Sequence, residues 1–382
     1  MTIGRLGRIF LFAFAFGASF LLVAAFTNTT ALSRERGRAA ALAESFRQWH
    51  EYVRTRPPEV VKGIYLPAAI AGNKARRAEL LNLVDATELN AVVIDLKDSR
   101  GWVTYNSEVA DVVQFDLTYQ YIKDLPEFLK ELRAHSIWPI ARLPVFEDTA
   151  FAEAQPHLSV QSKQTGGIWR DRKGLAWLDP SSREVWAYNV ALAREAFALG
   201  FGEVQFDYIR FPSDGNISDM AFPVWDEKRL QHEVMAEFFS YLRNTLGERA
   251  VLSVDLFGMT MLKADYPDDD LGIGQRVIDA VPHFDFISPM VYPSHYPPTF
   301  QGFANPAMHP GEVVAYSMQE GASAFQGTRA KARPWLQDFD LGAHYTAGMV
   351  RAQIDASDQN GGVGWLLWNP AARYTEGVLR ER

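Results

Sequence analysis

The run Gln205-Phe206-Asp207-Tyr208-Ile209-Arg210-Phe211-Pro212 sets a carboxylate inside an apolar, β-forming segment that a proline ends. Burying a charge is costly unless the charge is paired or hydrogen-bonded, so an acid held there has either an ionic partner or a chemical task. The pattern recurs around Asp255 in Val251-Leu252-Ser253-Val254-Asp255-Leu256-Phe257-Gly258, and around Asp95 in Val92-Val93-Ile94-Asp95-Leu96-Lys97-Asp98. Three acidic strand ends predict one shared site. Two carboxyl groups at one mouth are what glycosidic bond cleavage requires, one protonating the leaving oxygen while the other attacks the sugar or activates water. Asp207 and Asp255 are the candidate catalytic pair. A gap of about 5–5.5 Å between them would imply retention, about 6.5–9.5 Å inversion, and more than about 10 Å neither.

Other polar and aromatic residues stand at the same predicted strand ends. Asp95, Lys97, Arg142, Arg210, His295, Gln337, Asp338 and Asn369 are suited to orient sugar hydroxyls or to keep carboxylates ionised. Strand alternation puts Arg210 on the face opposite Asp207 if the strand continues that far, which would make it a loop anchor. Aromatic residues form 13% of the chain and gather at the predicted rim, with Tyr208, Tyr292 and Trp368 as candidate sugar platforms. Trp102, Tyr105, Trp169, Trp177, Tyr296, Trp335 and Trp365 accompany them, and more than half of the set is expected to serve packing alone.

Other chemistries lack their residues. There is no cysteine, which removes disulfides, thiolate catalysis and Cys-ligated zinc. The first body strand reads Lys62-Gly63-Ile64-Tyr65-Leu66-Pro67, without the His-x-His of metal-dependent barrel hydrolases, and no His-Glu-x-x-His occurs. The acidic run Asp268-Asp269-Asp270 reads as a solvated loop, and neither a metal nor a cofactor is expected. A net charge of −8 without clustered basic residues in the body argues against a nucleic-acid partner.

The elements that would carry these residues alternate regularly. Apolar β-type runs cover Val60–Leu66, Ala91–Lys97, Trp138–Phe146, Val204–Phe211, Val251–Met259, Phe284–Tyr292, Arg333–Phe339 and Gly362–Trp368, with helical patterns between them. Near-continuously apolar strands in β-then-α order predict a parallel sheet covered by helices, and eight units predict a closed (β/α)8 barrel. Insertions follow the second, third, fourth and sixth strands, on the rim where this fold places its chemistry. An eighth helix is hard to fit into the short tail after Asn369, and the segment preceding the barrel is a candidate to replace it.

Upstream, Arg5 and Arg8 precede an apolar run from Ile9 to Phe26, long enough to span a bilayer as a helix. Residues 1–30 therefore read as a signal anchor or signal peptide, 31–58 as a helical stalk ending at Pro57-Pro58, and 59–382 as the barrel. The expected location is the cell envelope, membrane-anchored through 9–26 and facing the periplasm, or exported.

Read together, the segments Val92–Asp98, Gln205–Pro212 with Ser213-Asp214-Gly215, Ser253–Gly258, Ser288–Tyr296, Arg333–Phe339 and Gly364–Pro370 resemble a bacterial family of glycoside hydrolase domains. That resemblance implies a TIM barrel distantly similar to the α-amylase superfamily. It also implies that Asp207 is the nucleophile and Asp255 the acid/base. The superfamily carries a Glu on its fifth strand and an Arg two residues before its nucleophile, where this chain has Asp255 and Gln205. The shorter acid leaves Asp95 and Asp338 as alternative proton donors. The expected activity is hydrolysis of a polysaccharide or envelope glycan, and the alternative is a non-catalytic, membrane-anchored glycan-binding or scaffold protein.

Overall fold

The computed structural model describes Pro57–Arg382. The apolar run 9–26 and the stalk 31–56 lie outside the described residues, among which no helix is long and apolar enough to cross a membrane.

Eight parallel strands close into a barrel: β1 (Val61–Leu66), β2 (Ala91–Asp95), β3 (Trp138–Pro144), β4 (Glu203–Asp207), β5 (Leu252–Phe257), β6 (Phe286–Val291), β7 (Trp335–Gln337) and β8 (Gly364–Trp368). Each pairs with the next, and β8 returns to β1 through Val61 opposite Gly364. At that seam only glycine fits: Gly364 has φ +84°, and an added Cβ would lie 1.9 Å from the Val61 carbonyl oxygen. Strand β7 is preceded by a short stretch, Lys331–Ala332, that also pairs with β6. Pro334 separates the two because it has no N–H to give the ladder.

The longer helices are α1 (Lys74–Ala86), α2 (Leu125–Ala134), α3 (Arg183–Leu199), α4 (Gln231–Leu246), α5 (Pro310–Gly321) and α6 (Ala347–Gln359). Their starts follow local chemistry: Asn73, Ser182 and Thr346 each accept a backbone N–H of the first turn. Between β5 and β6 the helical layer shrinks to a 3-10 segment, Gly258–Lys263, and a single turn, Val277–Ala280. No helix follows β8. The tail instead runs from the mouth, where the Tyr374 hydroxyl donates to the Tyr65 carbonyl, to the base, where Glu88 N–H donates to the Arg380 carbonyl.

Inside the barrel, Val61, Ala91, Val93, Trp138, Ile140 and Leu366 form an apolar packing layer. At the base, Glu203 and Arg333 form an ion pair with no solvent exposure. One guanidinium nitrogen of Arg333 lies 3.1 Å from Glu203 Oε2, the other binds Oε1, and Ser253 and Trp138 donate to the same carboxylate. Removing one partner of such a pair strands the other charge in a low-dielectric interior. Arg333→Met is therefore expected to lower stability by about 3–5 kcal/mol in chemical denaturation; an unchanged midpoint would show that the pair is not formed.

Candidate functional site

Each strand, or the residue that follows it, gives the mouth one polar or aromatic side chain. Tyr65 comes from β1, Asp95 from β2, Arg142 from β3, Asp207 from β4 and Asp255 from β5. Tyr292 follows β6, Trp335 opens β7 and Trp368 closes β8.

Arg142 organises the acids. Its Nε lies 3.0 Å from Asp207 Oδ2, one terminal nitrogen binds the same oxygen, and the other reaches Asp95 Oδ1 at 2.7 Å. The Tyr65 hydroxyl donates to the free oxygen of Asp95, and the Tyr208 N–H donates to Asp207 Oδ1 at 2.6 Å. Burial opposes the charge of Arg142, but Asp207 and Asp95 outweigh it and hold its pKa well above the usual value. Burial pushes Asp95 up, while Arg142 and Tyr65 work against that push.

Asp255 has a different environment. Phe206 pairs with Val254, so Asp207 and Asp255 follow on adjacent strands at the same level, one strand spacing of about 4.8 Å apart along the backbone. Trp335 Nε1 donates to Asp255 Oδ1 at 2.8 Å, and the residue is 1% exposed. Burial and then the neighbouring Asp207 raise its pKa well above the ordinary carboxylate range, which favours the neutral acid.

A fourth carboxyl group, that of Glu147, comes from the loop after β3. Val145 and Phe146 still donate to the Asp207 and Tyr208 carbonyls, but Phe146 packs on Phe238 of α4, on the side away from Arg142. The alternation is thus broken, and Glu147 turns toward the mouth, where it interacts electrostatically with Arg210, Asp171 and Asp207. It is 4% exposed, and its carboxyl group has no hydrogen bond or ion pair within 4 Å among the described residues. Burial, reinforced by Asp171 and Asp207 and opposed by Arg210, raises its pKa to about 8.

Two loops hold this wall in place. Glu147 bridges antiparallel to Trp177 within the insertion after β3, and Gln161–Ser162 of that insertion pairs with Met220–Ala221 after β4. Asp179 adds a further tie, accepting the N–H groups of Val224 and Trp225. Strand β4 ends at Asp207, and Tyr208 takes a left-handed φ of +51°. That turn cancels the expected alternation and returns Arg210 to the mouth, where its guanidinium lies 4.6 Å from the Trp177 ring centre and 4.9 Å from that of Phe257.

The expected residues divide into two groups. Asp95, Arg142, Asp207, Tyr208, Arg210, Asp255, Tyr292 and Trp368 surround the mouth. Trp368 stacks on Tyr65 at 4.0 Å, and the pKa of the Tyr292 hydroxyl is raised well above its usual value, first by burial and then by the neighbouring Asp255 and Asp207. His295 lies on the exposed rim, its ring edge-on to Tyr292 at 5.3 Å.

The other four are occupied elsewhere. Lys97 is fully buried against α3, bound to Asp148 at 2.7 Å and Asn189 at 3.1 Å, because β2 ends at Asp95 and the chain then turns away. Gln337 spends both ends on loop backbone, accepting from Ser294 N–H and donating to the Phe339 carbonyl. The Asp338 carboxyl group accepts from the Thr375 hydroxyl and N–H, which ties it to the tail. Asn369 caps the turn into the tail, accepting from Ala371 N–H and donating to the Asp338 carbonyl. Of the other aromatics, Trp365 is fully buried with the outward alternation of β8, and Trp169 and Tyr105 are fixed by loop hydrogen bonds. The acidic run near Asp269 salt-bridges to Lys263, and no group of three metal-ligating side chains occurs among the described residues.

A closed (β/α)8 barrel with carboxyl groups at its strand ends defines the class. Within it, the chain belongs to the family described as "Putative glycosyl hydrolase domain", whose model matches residues 63–374, and that membership supports a glycosidase-like function. No curated protein matches the chain. Among solved structures, a hypothetical protein from Ruminiclostridium thermocellum ATCC 27405 is 36% identical, over 50% of this chain and 96% of that one, with a TM-score of 0.47. The PgaB (BpsB) glycoside hydrolase domain of Bordetella bronchiseptica is 14% identical with a TM-score of 0.59, over 82% of this chain and 97% of that one. The α-galactosidase TtGalA of Thermus thermophilus is 13% identical with a TM-score of 0.51, over 86% of this chain and 62% of that one. These last two likenesses establish the shared barrel fold.

The unfolded chain loses the Glu147 proton near its usual value of 4.5, whereas the folded protein keeps it to about 8. Folding stability therefore falls as pH rises through that window, and Glu147→Gln removes this slope. The variant's melting temperature is expected to gain on the parent steadily from the acidic to the alkaline end of the window; a constant difference would contradict the placement of Glu147.

Proposed function

We propose that the protein is a retaining glycoside hydrolase acting on a polysaccharide or envelope glycan, with Asp207 as nucleophile. The observation that carries this reading is the fixation of Asp207. Arg142 binds Oδ2 twice and the Tyr208 N–H binds Oδ1, so the carboxyl group is held in one orientation at the barrel mouth. Trp368, stacked on Tyr65 beside Arg142, and the Tyr208 and Tyr292 rings supply apolar faces suited to sugar C–H groups.

The reaction also needs a carboxyl group that is neutral at working pH to protonate the leaving oxygen. Two near Asp207 meet that requirement, Asp255 on the adjacent strand and Glu147 on the rim. The N-terminal apolar run from Ile9 to Phe26 behind Arg5 and Arg8 supports an envelope location, tested by fusing a periplasm-dependent reporter to the body; reporter activity only in the cytoplasm would defeat it.

A panel of polysaccharides with reducing-end detection tests the activity. The parent is expected to release reducing ends from at least one glycan. Asp207→Asn is expected to lower that rate at least about 1,000-fold while leaving the fold intact, since it removes the attacking oxygen from an otherwise unchanged mouth. Retained turnover in the variant would remove Asp207 from the nucleophile's role.

A further inference from the structure

We infer that Glu147, rather than Asp255, is the acid/base residue of this site. The inference rests on Asp207 being the nucleophile and concerns the partner that nucleophile requires.

Position separates the two candidates. Asp255 leaves β5 at the level of Asp207 and one strand across, and its side chain is one methylene shorter than a glutamate there would be. One Asp255 oxygen is also tied to the indole of Trp335, across the mouth. A carboxyl pair must flank the bond being broken. Glu147 satisfies that better. Pro144 is the register partner of Asp207, and Glu147 stands three residues further along toward solvent, about 10 Å by strand rise, with a side chain long enough to reach back over the mouth. A sugar seated on Asp207 would direct its leaving group outward, toward this residue.

The surroundings of Glu147 suit proton transfer and no structural task. Its carboxyl group has no hydrogen-bond partner among the described residues, although only 4% of the residue is exposed. The little solvent contact that remains belongs to a carboxyl group tied to no other side chain, which suits an exchangeable proton better than a structural ion pair. The charged and titratable groups facing it are Arg210, Asp207 and Tyr208 from the β4 end, and Asp171 and Lys173 from its own loop. Burial and the two aspartates oppose ionisation, Arg210 and Lys173 favour it, and the proton is held to about pH 8.

The step balances as follows. Asp207 Oδ forms a bond to the anomeric carbon as the bond to the leaving oxygen breaks, and that oxygen takes the Glu147 proton. In the second half, Glu147, now a carboxylate, takes a proton from water. The water oxygen bonds to the anomeric carbon, and the ester electrons return to Asp207.

Three variants of the full-length protein, Glu147→Gln, Glu147→Ala and Asp255→Asn, test the assignment. Each is assayed on the glycan the parent cleaves and on the 2,4-dinitrophenyl glycoside of the same sugar. Both Glu147 variants are expected to lose about 100-fold or more on the glycan, the range for a missing general acid, and much less bond cleavage on the activated glycoside. Azide should restore turnover of Glu147→Ala and yield a glycosyl azide of retained configuration. The alkaline limb of the parent's rate profile, near pH 8, should disappear in Glu147→Gln. Because Glu147 is neutral at working pH, the Gln variant preserves the charge state and keeps the test valid if the Ala variant folds poorly. Asp255→Asn showing azide rescue while both Glu147 variants match the parent would overturn the inference and leave Asp207 standing. Full activity in Asp207→Asn would instead remove the reading on which the inference rests.

Discussion

One guanidinium governs the chemistry of this barrel. Arg142 binds Asp95 and Asp207 at once, and Tyr65 closes the far side of Asp95, so four consecutive strands, β1 to β4, are joined in a single chain of charged hydrogen bonds. Arginine suits this position because its donors are fixed in a plane and its charge survives burial. A lysine at 142 would have neither property. Burial, and then Asp207 among their neighbours, raises the pKa of both Asp255 and Glu147. Arg142 itself works the other way on Asp255, favouring its ionisation against burial and Asp207.

The barrel has two polar ends separated by an apolar layer, and they differ in charge balance. At the base, Glu203 and Arg333 match one to one and the carboxylate has four donors, so nothing there is left to react. At the mouth, Asp95, Asp207, Asp255 and Glu147 gather around Arg142 and Arg210, with Lys173 on the loop beside Glu147. Buried acids in excess of cations take up protons instead of finding partners, and neutral carboxyl groups beside an ionised one are the combination glycosidic cleavage uses. The contrast between a neutralised base and an acid-rich mouth is the physical basis for assigning function to one end only.

Much of this was legible in the sequence, for identifiable reasons. Apolar runs with regular alternation marked all eight strands, and Asp95, Asp207 and Asp255 stood out because acids are rare in such runs. Strand ends were less legible. Lys97 shares the parity of Asp95 yet turns away once β2 stops, and Arg210 lost its expected orientation to the positive φ of Tyr208, which no alternation rule anticipates. Gln337, Asp338 and Asn369 were polar residues at strand ends that proved to be loop and tail anchors, and the tail that claims Asp338 lies far along the chain at Thr375. Glu147 gave the weakest signal, because a glutamate opening a polar loop is ordinary. Only its burial without a hydrogen bond distinguishes it. Its one available cue was that it follows the uninterrupted apolar run through Val145 and Phe146 on the strand next to Asp207's.

The most direct test of the account is to identify the atom that bonds to sugar. The protein would be incubated with the 2-deoxy-2-fluoroglycosyl fluoride of the sugar it releases, digested, and mapped by mass spectrometry. The account predicts a single glycosyl adduct on Asp207, absent from Arg142→Ala because the attacking oxygen is no longer held in place. An adduct on Asp255 or Glu147, or turnover of a true substrate with inverted product and no adduct, would contradict it.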